Sequence, residues 1–172
     1  LNEATPPNLI VQAAQAIEER GFHAIWVPEH VVLFDEYESK YPYSPDGRIG
    51  NYGKGMMEPF TALTYLAAHT SKLRLGTAIC LVTQRNPIYT AKQVADVDYL
   101  SGGRVNFGIG LGWLREEFAA LNVPFEKRGK RANEHIAVMK ALWCQEISKY
   151  HGELYDLQSC VMYPKPIQTP HP

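Results

Sequence analysis

Cysteine is scarce and poorly spaced for structural work. Only Cys80, Cys144 and Cys160 occur in 172 residues, an odd number with no Cys-x-x-Cys pair, so neither a disulfide framework nor a cysteine zinc site is expected. They read as buried or free thiols of a reducing compartment. The histidines show no metal-ligand spacing either, and no resident metal is expected. Neither sign of charge dominates: 17 Lys and Arg against 18 Asp and Glu give a net charge of −1, which is no footprint for nucleic acid or an anionic membrane. Apolar runs fall short of the roughly 18 residues that span a bilayer. No basic stretch with an apolar run behind it opens the chain, so a cytoplasmic protein is expected. A Gly-x-Ser-x-Gly nucleophile motif is missing as well.

The composition that remains, 45% hydrophobic and 20% charged, is that of a globular chain with enough apolar mass for one core, and residues 1–172 read as a single domain. Thr5-Pro6-Pro7 starts a helix with Leu9, Ile10, Ala13, Ala14 and Ile17 on one face, stopped at Gly21. A short buried strand, His23 to Pro28, follows. Glu58-Pro59 starts a second helix with Phe60, Leu63, Leu66 and Ala67 as its stripe. Leu73 to Val82 is nearly continuous in apolar residues, as a parallel strand should be. Asn86 caps a helix with Pro87 at its first position; Ile88, Ala91, Val94, Ala95 and Leu100 are expected to face inward, and Ser101-Gly102-Gly103 to end it. Arg104 to Gly108 is a third strand, followed by a glycine turn, a helix from Leu114 and another near Arg131 to Trp143. Gly152 to Leu157 resembles a short strand before a proline-rich end. The βα-βα-βα alternation predicts an α/β fold with a parallel sheet or barrel.

Three strands end in chemistry-bearing residues: Val27-Pro28-Glu29-His30, Thr83-Gln84-Arg85-Asn86-Pro87 and Gly108-Ile109-Gly110-Leu111-Gly112-Trp113. Parallel architecture puts all three on the face where such folds bind ligands, which makes an enzyme the leading reading. An imidazole is the usual acid–base side chain near neutral pH, and His30 at a strand's carboxyl end is placed for such work; the alternative is an ordinary loop histidine. The Gly108-x-Gly110-x-Gly112 turn lets backbone approach a ligand, or is merely a tight connection. Arg85 either forks onto an anion or pairs with Asp96 or Asp98 at the surface. Trp113 either flanks a flat ring or belongs to the core. Glu116-Glu117 is accounted for by the helix dipole. The basic run Lys127 to Arg131 is either solvated or a contact for an anionic cofactor tail. Val31 to Met57, about 27 residues rich in Tyr, Pro and Gly, exceeds ordinary connections and reads as a lid or binding loop.

Several of these strings occur together in one family. Gly21 to His30, Leu73 to Thr77, Arg85-Asn86-Pro87, Ala91-Lys92-Gln93, Leu100 to Arg104 and Gly110 to Phe118 resemble the bacterial luciferase-like monooxygenase superfamily. Pro124-Phe125 and Arg128-Gly129 make the last stretch most similar to the branch that uses the deazaflavin coenzyme F-420. The resemblance implies a (β/α)8 TIM barrel with the cofactor ring at the carboxyl ends of the strands. It implies His30 as the catalytic group acting on substrate, and Glu29, Ala78, Ile79, Leu111, Gly112 and Trp113 as cofactor neighbours, with a non-proline cis peptide at Ala78–Ile79. Tyr37, Tyr41 and Tyr43 of the long loop are expected to line the substrate. Trp113 stands where the sugar-phosphate dehydrogenases of that branch carry a Glu, so a small organic substrate other than a sugar phosphate is expected.

A barrel of this type takes about 250 residues, and three strands are evident. The chain therefore reads as the amino-terminal half of a deazaflavin-dependent oxidoreductase. Alternatives are a monooxygenase using FMN, and a non-catalytic flavin-binding or structural half-barrel that covers its open edges as a homodimer.

Overall fold

A computed structural model describes residues 4–50 and 55–172. Residues 51–54 of the expected 31–57 loop lie outside the described residues. The order of elements is α1 (Pro7–Glu19), β1 (Ala24–Val27), α2 (Pro59–His69), β2 (Arg74–Thr77), β3 (Cys80–Leu81), α3 (Pro87–Ser101), β4 (Val105–Asn106), β5 (Ile109–Gly110), α4 (Arg115–Ala120), α5 (Arg128–Cys144), β6 (Ser148–His151) and β7 (Asp156–Cys160). Parallel strands β1-β2-β4 form one sheet and β3-β5 a second parallel pair.

The helices start as their sequences demand. Glu58 accepts a bond from Thr61 N at 2.7 Å and Pro59 opens α2; Asn86 accepts from Ile88 N at 2.9 Å and Pro87 opens α3. Such caps satisfy amides that no helical carbonyl reaches, each typically contributing about 1 kcal/mol. Gly102 ends α3 in the left-handed conformation at φ 72°. α1, α2, α3 and α5 follow one another side by side. They bury Ile10, Leu63, Leu66, Val94, Val138 and Met139 against Val27, Leu75 and Val105 of the sheet. Full burial of each such aliphatic contributes roughly 1.5–3 kcal/mol.

The other face of the sheet is open. Trp26, Ile79, Ile109 and Leu111 remain between about a third and half exposed. Carboxylates tie the connections down: Glu18 takes the amides of Ser71, Lys72 and Leu73, Asp98 those of Ile167 and Gln168, and Glu134 those of Leu154 and Tyr155.

Four sequence expectations need correction. The strand expected over 73–82 is two, because the chain breaks at Ala78–Ile79 and re-pairs: Cys80 N bonds Gly108 O at 2.8 Å and Thr77 Oγ1 bonds the same carbonyl at 2.7 Å. The third strand, expected over 104–108, is β4 alone, and the glycine turn expected after it carries the further strand β5. Ile88 and Leu100 of α3 are exposed, not inward. Of the strand expected over 152–157, residues 152–155 are the turn of an antiparallel hairpin, β6-β7, with Gly152 N bonded to Tyr155 O, and Asp156 and Leu157 begin β7. Among the described residues no helix is long and apolar enough to cross a membrane.

Candidate active site

The breaks in β2–β3 and β4–β5 matter because they set a floor for a cavity of about 650 Å³ beyond the carboxyl ends of the strands. This volume is of the size that holds a cofactor or substrate ring. Its lining brings together residues from three places: Pro28, Glu29 and His30 after β1; Ala78, Ile79 and Leu81 around β3; and Ile109, Gly110, Leu111, Gly112 and Trp113 at β5; the Thr83 to Pro87 string is not part of it. The long loop adds Tyr41, Pro42, Tyr43, Ile49 and Met56. The Ala78–Ile79 peptide is cis. Gly110 has no side chain because Ile79 occupies its place: a Cβ there would lie 1.7 Å from Ile79 Cδ1. Gly112 turns with φ at +76°, a conformation other residues adopt only under strain.

His30 is held, not free. Its Nδ1 lies 3.0 Å from Glu117 Oε2. Glu117, at the first turn of α4, is fully buried. It also accepts from Gln84 Nε2 at 3.0 Å and from Val31 N at 2.7 Å. Burial alone would raise its pKa, but the bonds from His30, Gln84 and Val31 outweigh it and keep the carboxyl below its usual range. Its neighbour Glu116 accepts from Glu38 N at 2.7 Å and Ser39 N at 3.1 Å; burial opposes its charge, but the Ser39 hydroxyl first and then these amides lower its pKa to about 2.

Glu29 lines the cavity with its carboxylate occupied. Oε2 accepts from Leu81 N at 2.6 Å, while Oε1 meets Arg85 through both Nε (2.7 Å) and Nη2. Arg85 therefore pairs with neither Asp96 nor Asp98, and Asp98 is itself fully buried rather than at the surface. It sits under the floor, bridging Glu29 to Glu58 at 2.6 Å and lying 5.0 Å over the Phe60 ring. Burial works against its charge, but the Glu29 bonds and charge dominate and push its pKa above the ordinary arginine value.

Trp113 is partly buried at the centre of an aromatic group. His30, Tyr37 and Tyr41 approach it at ring separations of 6.0, 5.8 and 5.2 Å, and Tyr41 meets Tyr43 at 5.6 Å. Tyr41 and Tyr43 line the cavity. Tyr37 does not: it stands behind Trp113, where its hydroxyl accepts from Ile49 N at 2.9 Å and Arg48 covers its ring. The basic run also stays out of the lining. Arg128 donates to Gly112 O at 3.2 Å, and Arg131 to Pro124 O at 2.7 Å.

Glu117 and Gln84 carry roles that sequence reasoning did not assign to them. The helix dipole accounted for a glutamate in a first turn, and nothing more was asked of it. The usable signal was periodicity: Leu114, Glu117 and Phe118 share one helix face, and the two apolar members are almost fully buried.

A glycine-lined, largely apolar cavity at the ends of parallel strands, with one histidine held by a buried carboxylate, is the candidate site of this α/β fold. A family model described as luciferase-like monooxygenase matches residues 1–172, and the chain belongs to that family. An uncharacterized protein of Mycobacterium tuberculosis is 35% identical over 161 residues, covering 92% of this chain and 56% of that protein. The FMNH(2)-dependent dimethylsulfone monooxygenase of Pseudomonas putida is 36% identical over 118 residues, covering 67% and 32%. The F420-dependent glucose-6-phosphate dehydrogenase of Kineococcus radiotolerans is 29% identical over 170 residues, covering 96% and 46%. Among solved structures, monooxygenase RslO1 from Streptomyces bottropensis superposes with a TM-score of 0.79 at 26% identity, over 100% of this chain and 49% of that one. The chain thus spans about half the length of the relatives it matches; its architecture is theirs over that half, without a complete barrel.

Proposed function

We propose that this chain is the amino-terminal half of a flavin-type oxidoreductase barrel that uses coenzyme F-420 and acts on a small organic substrate. The observation that carries the reading is the cavity itself. Bare backbone at Gly110 and Gly112 and the apolar sides of Ile79, Ile109 and Leu111 fit a flat ring, and His30 stands on the same lining. When bound, the deazaflavin supplies hydride transfer. The chain's own part is to seat the ring against Ala78, Ile79, Leu111 and Gly112 and to hold the substrate under Tyr41 and Tyr43. His30 moves the accompanying proton, and Trp113 closes the wall beside it.

Coverage favours the deazaflavin: the F420-dependent relative matches 96% of the chain, the FMNH(2)-dependent one 67%. The higher identity of the latter, 36% against 29%, supports a second reading as an FMN-dependent monooxygenase. Among the described residues, the titratable groups of the lining are Glu29, His30, Tyr41 and Tyr43. Parallel titrations with coenzyme F-420 and FMN, read by fluorescence, decide between the two. Saturable binding of the deazaflavin alone is expected, selective binding of FMN moves the assignment to the monooxygenase, and binding of neither defeats the cofactor assignment for this chain.

A further inference from the structure

Every acceptor position of the buried Glu117 carboxylate is filled. Oε2 faces His30 Nδ1 and Gln84 Nε2, each at 3.0 Å, and Oε1 faces the amides of Val31 at 2.7 Å and Val32 at 3.4 Å. A proton on either oxygen would collide with an N–H, so the group is an acceptor only. Its bond to His30 then requires the imidazole proton on Nδ1. Gln84 obeys the same constraint: it keeps its amide nitrogen on Glu117 although its own Oε1 is buried without a partner among the described residues. His30 Nε2 has no protein partner among the described residues, and the ring lines the cavity.

We propose that Glu117 is a positioning residue that fixes His30 in the Nδ1–H tautomer and so makes Nε2 the proton acceptor for a hydroxyl-bearing substrate. The proposal rests on the reading of His30 as the acid–base group. In the oxidative direction a substrate O–H bond breaks, an N–H bond forms at Nε2, and the freed oxygen pair becomes the second C–O bond as the carbon's hydride leaves for the oxidised deazaflavin of the proposed function. The positive charge that arises on the ring faces Glu117, where a fixed carboxylate in a water-poor site stabilises it without reorganisation. In the reductive direction the same proton returns to the oxygen of a carbonyl substrate. The carboxylate also holds the amides of Val31 and Val32, so it sets the ring's orientation and the chain direction leaving it.

The test reads the tautomer directly. Long-range 1H–15N correlation of the imidazoles, at about pH 8 where an ordinary histidine is neutral, distinguishes Nδ1–H from Nε2–H. The His30 signals are assigned by their disappearance in His30→Gln. The wild-type protein is expected to show Nδ1–H. Glu117→Gln keeps the shape but presents an amide N–H to His30, and is expected to flip the ring to Nε2–H. A wild-type ring in the Nε2–H form, or a ring unchanged by Glu117→Gln, overturns the proposal; where the variant does not fold, the wild-type spectrum decides alone. Turnover is separate: unimpaired activity in His30→Ala would defeat the acid–base reading whatever the tautomer.

Discussion

Trp26 of β1 lies across the backbone of Gly76, its register partner in β2: a Cβ on Gly76 would fall 2.2 Å from Trp26 Cε3. The glycine is there for the indole. Gly76→Ala is expected to push the ring off the sheet and cost about 1–3 kcal/mol, read as a lower urea midpoint with altered tryptophan emission. In a Trp26→Leu background the same substitution should cost much less. An equal cost in both backgrounds would show that the indole is not the cause.

The Glu29–Arg85 pair is the second sensitive point. Its side chains are 2% and 15% exposed, so removing one partner leaves the other charged and without solvent. Arg85→Met is expected to destabilise by about 3–5 kcal/mol, whereas the double variant Arg85→Met/Glu29→Gln should recover part of the loss. Urea unfolding of the single and double variants checks both statements.

For the proposed chemistry, His30→Ala is expected to lower kcat by about 10²–10⁴-fold, the usual range for a lost acid–base group. Cofactor affinity should be unchanged, because the ring contacts assigned above are backbone and apolar. A fall in cofactor binding that matches the fall in rate would reassign His30 to the cofactor.

A pH effect on stability follows from His135. Its Nδ1 faces Val82 O at 3.0 Å and its ring packs edge-on to Tyr155. Burial holds its pKa below the ordinary 6.5; Arg131 adds to this, while the Val82 bond and Glu134 oppose it. The unfolded chain therefore binds the proton first on acidification. The contribution of His135 is complete above 6.5 and is lost as pH falls through the lower folded value. Urea midpoints at about pH 7.5 and about pH 5.5 should differ less in His135→Gln than in the wild type.

Much of this architecture is legible in the chain. Apolar periodicity located α2, with Phe60, Leu63, Leu66 and Ala67 all buried, and the Glu58-Pro59 and Asn86-Pro87 pairs marked two helix starts. The strand breaks were not legible, since Ala78-Ile79 and Phe107-Gly108 continue an apolar run without interruption. The hairpin was misplaced because Ser148 to His151 is polar and carries little strand signal. Arg85 looked like a surface residue because its partners, Glu29 and Glu58, lie 56 and 27 positions away. Glu117 looked like a dipole residue for the same reason, its histidine being 87 positions distant. Pairings of that reach are fixed by the tertiary fold and leave no local pattern.

Helix α4 has six residues, yet both sides of the cavity hang from it. Its leading edge is the glycine turn of the proposed ring site, while Glu116 and Glu117 grip the chain at Val31, Glu38 and Ser39 just ahead of the tyrosines. The proposed ring site and the proposed substrate loop are therefore anchored by one short helix. Under the proposed function, a substitution in α4 that reshapes the glycine turn is expected to shift Tyr41 and Tyr43 as well.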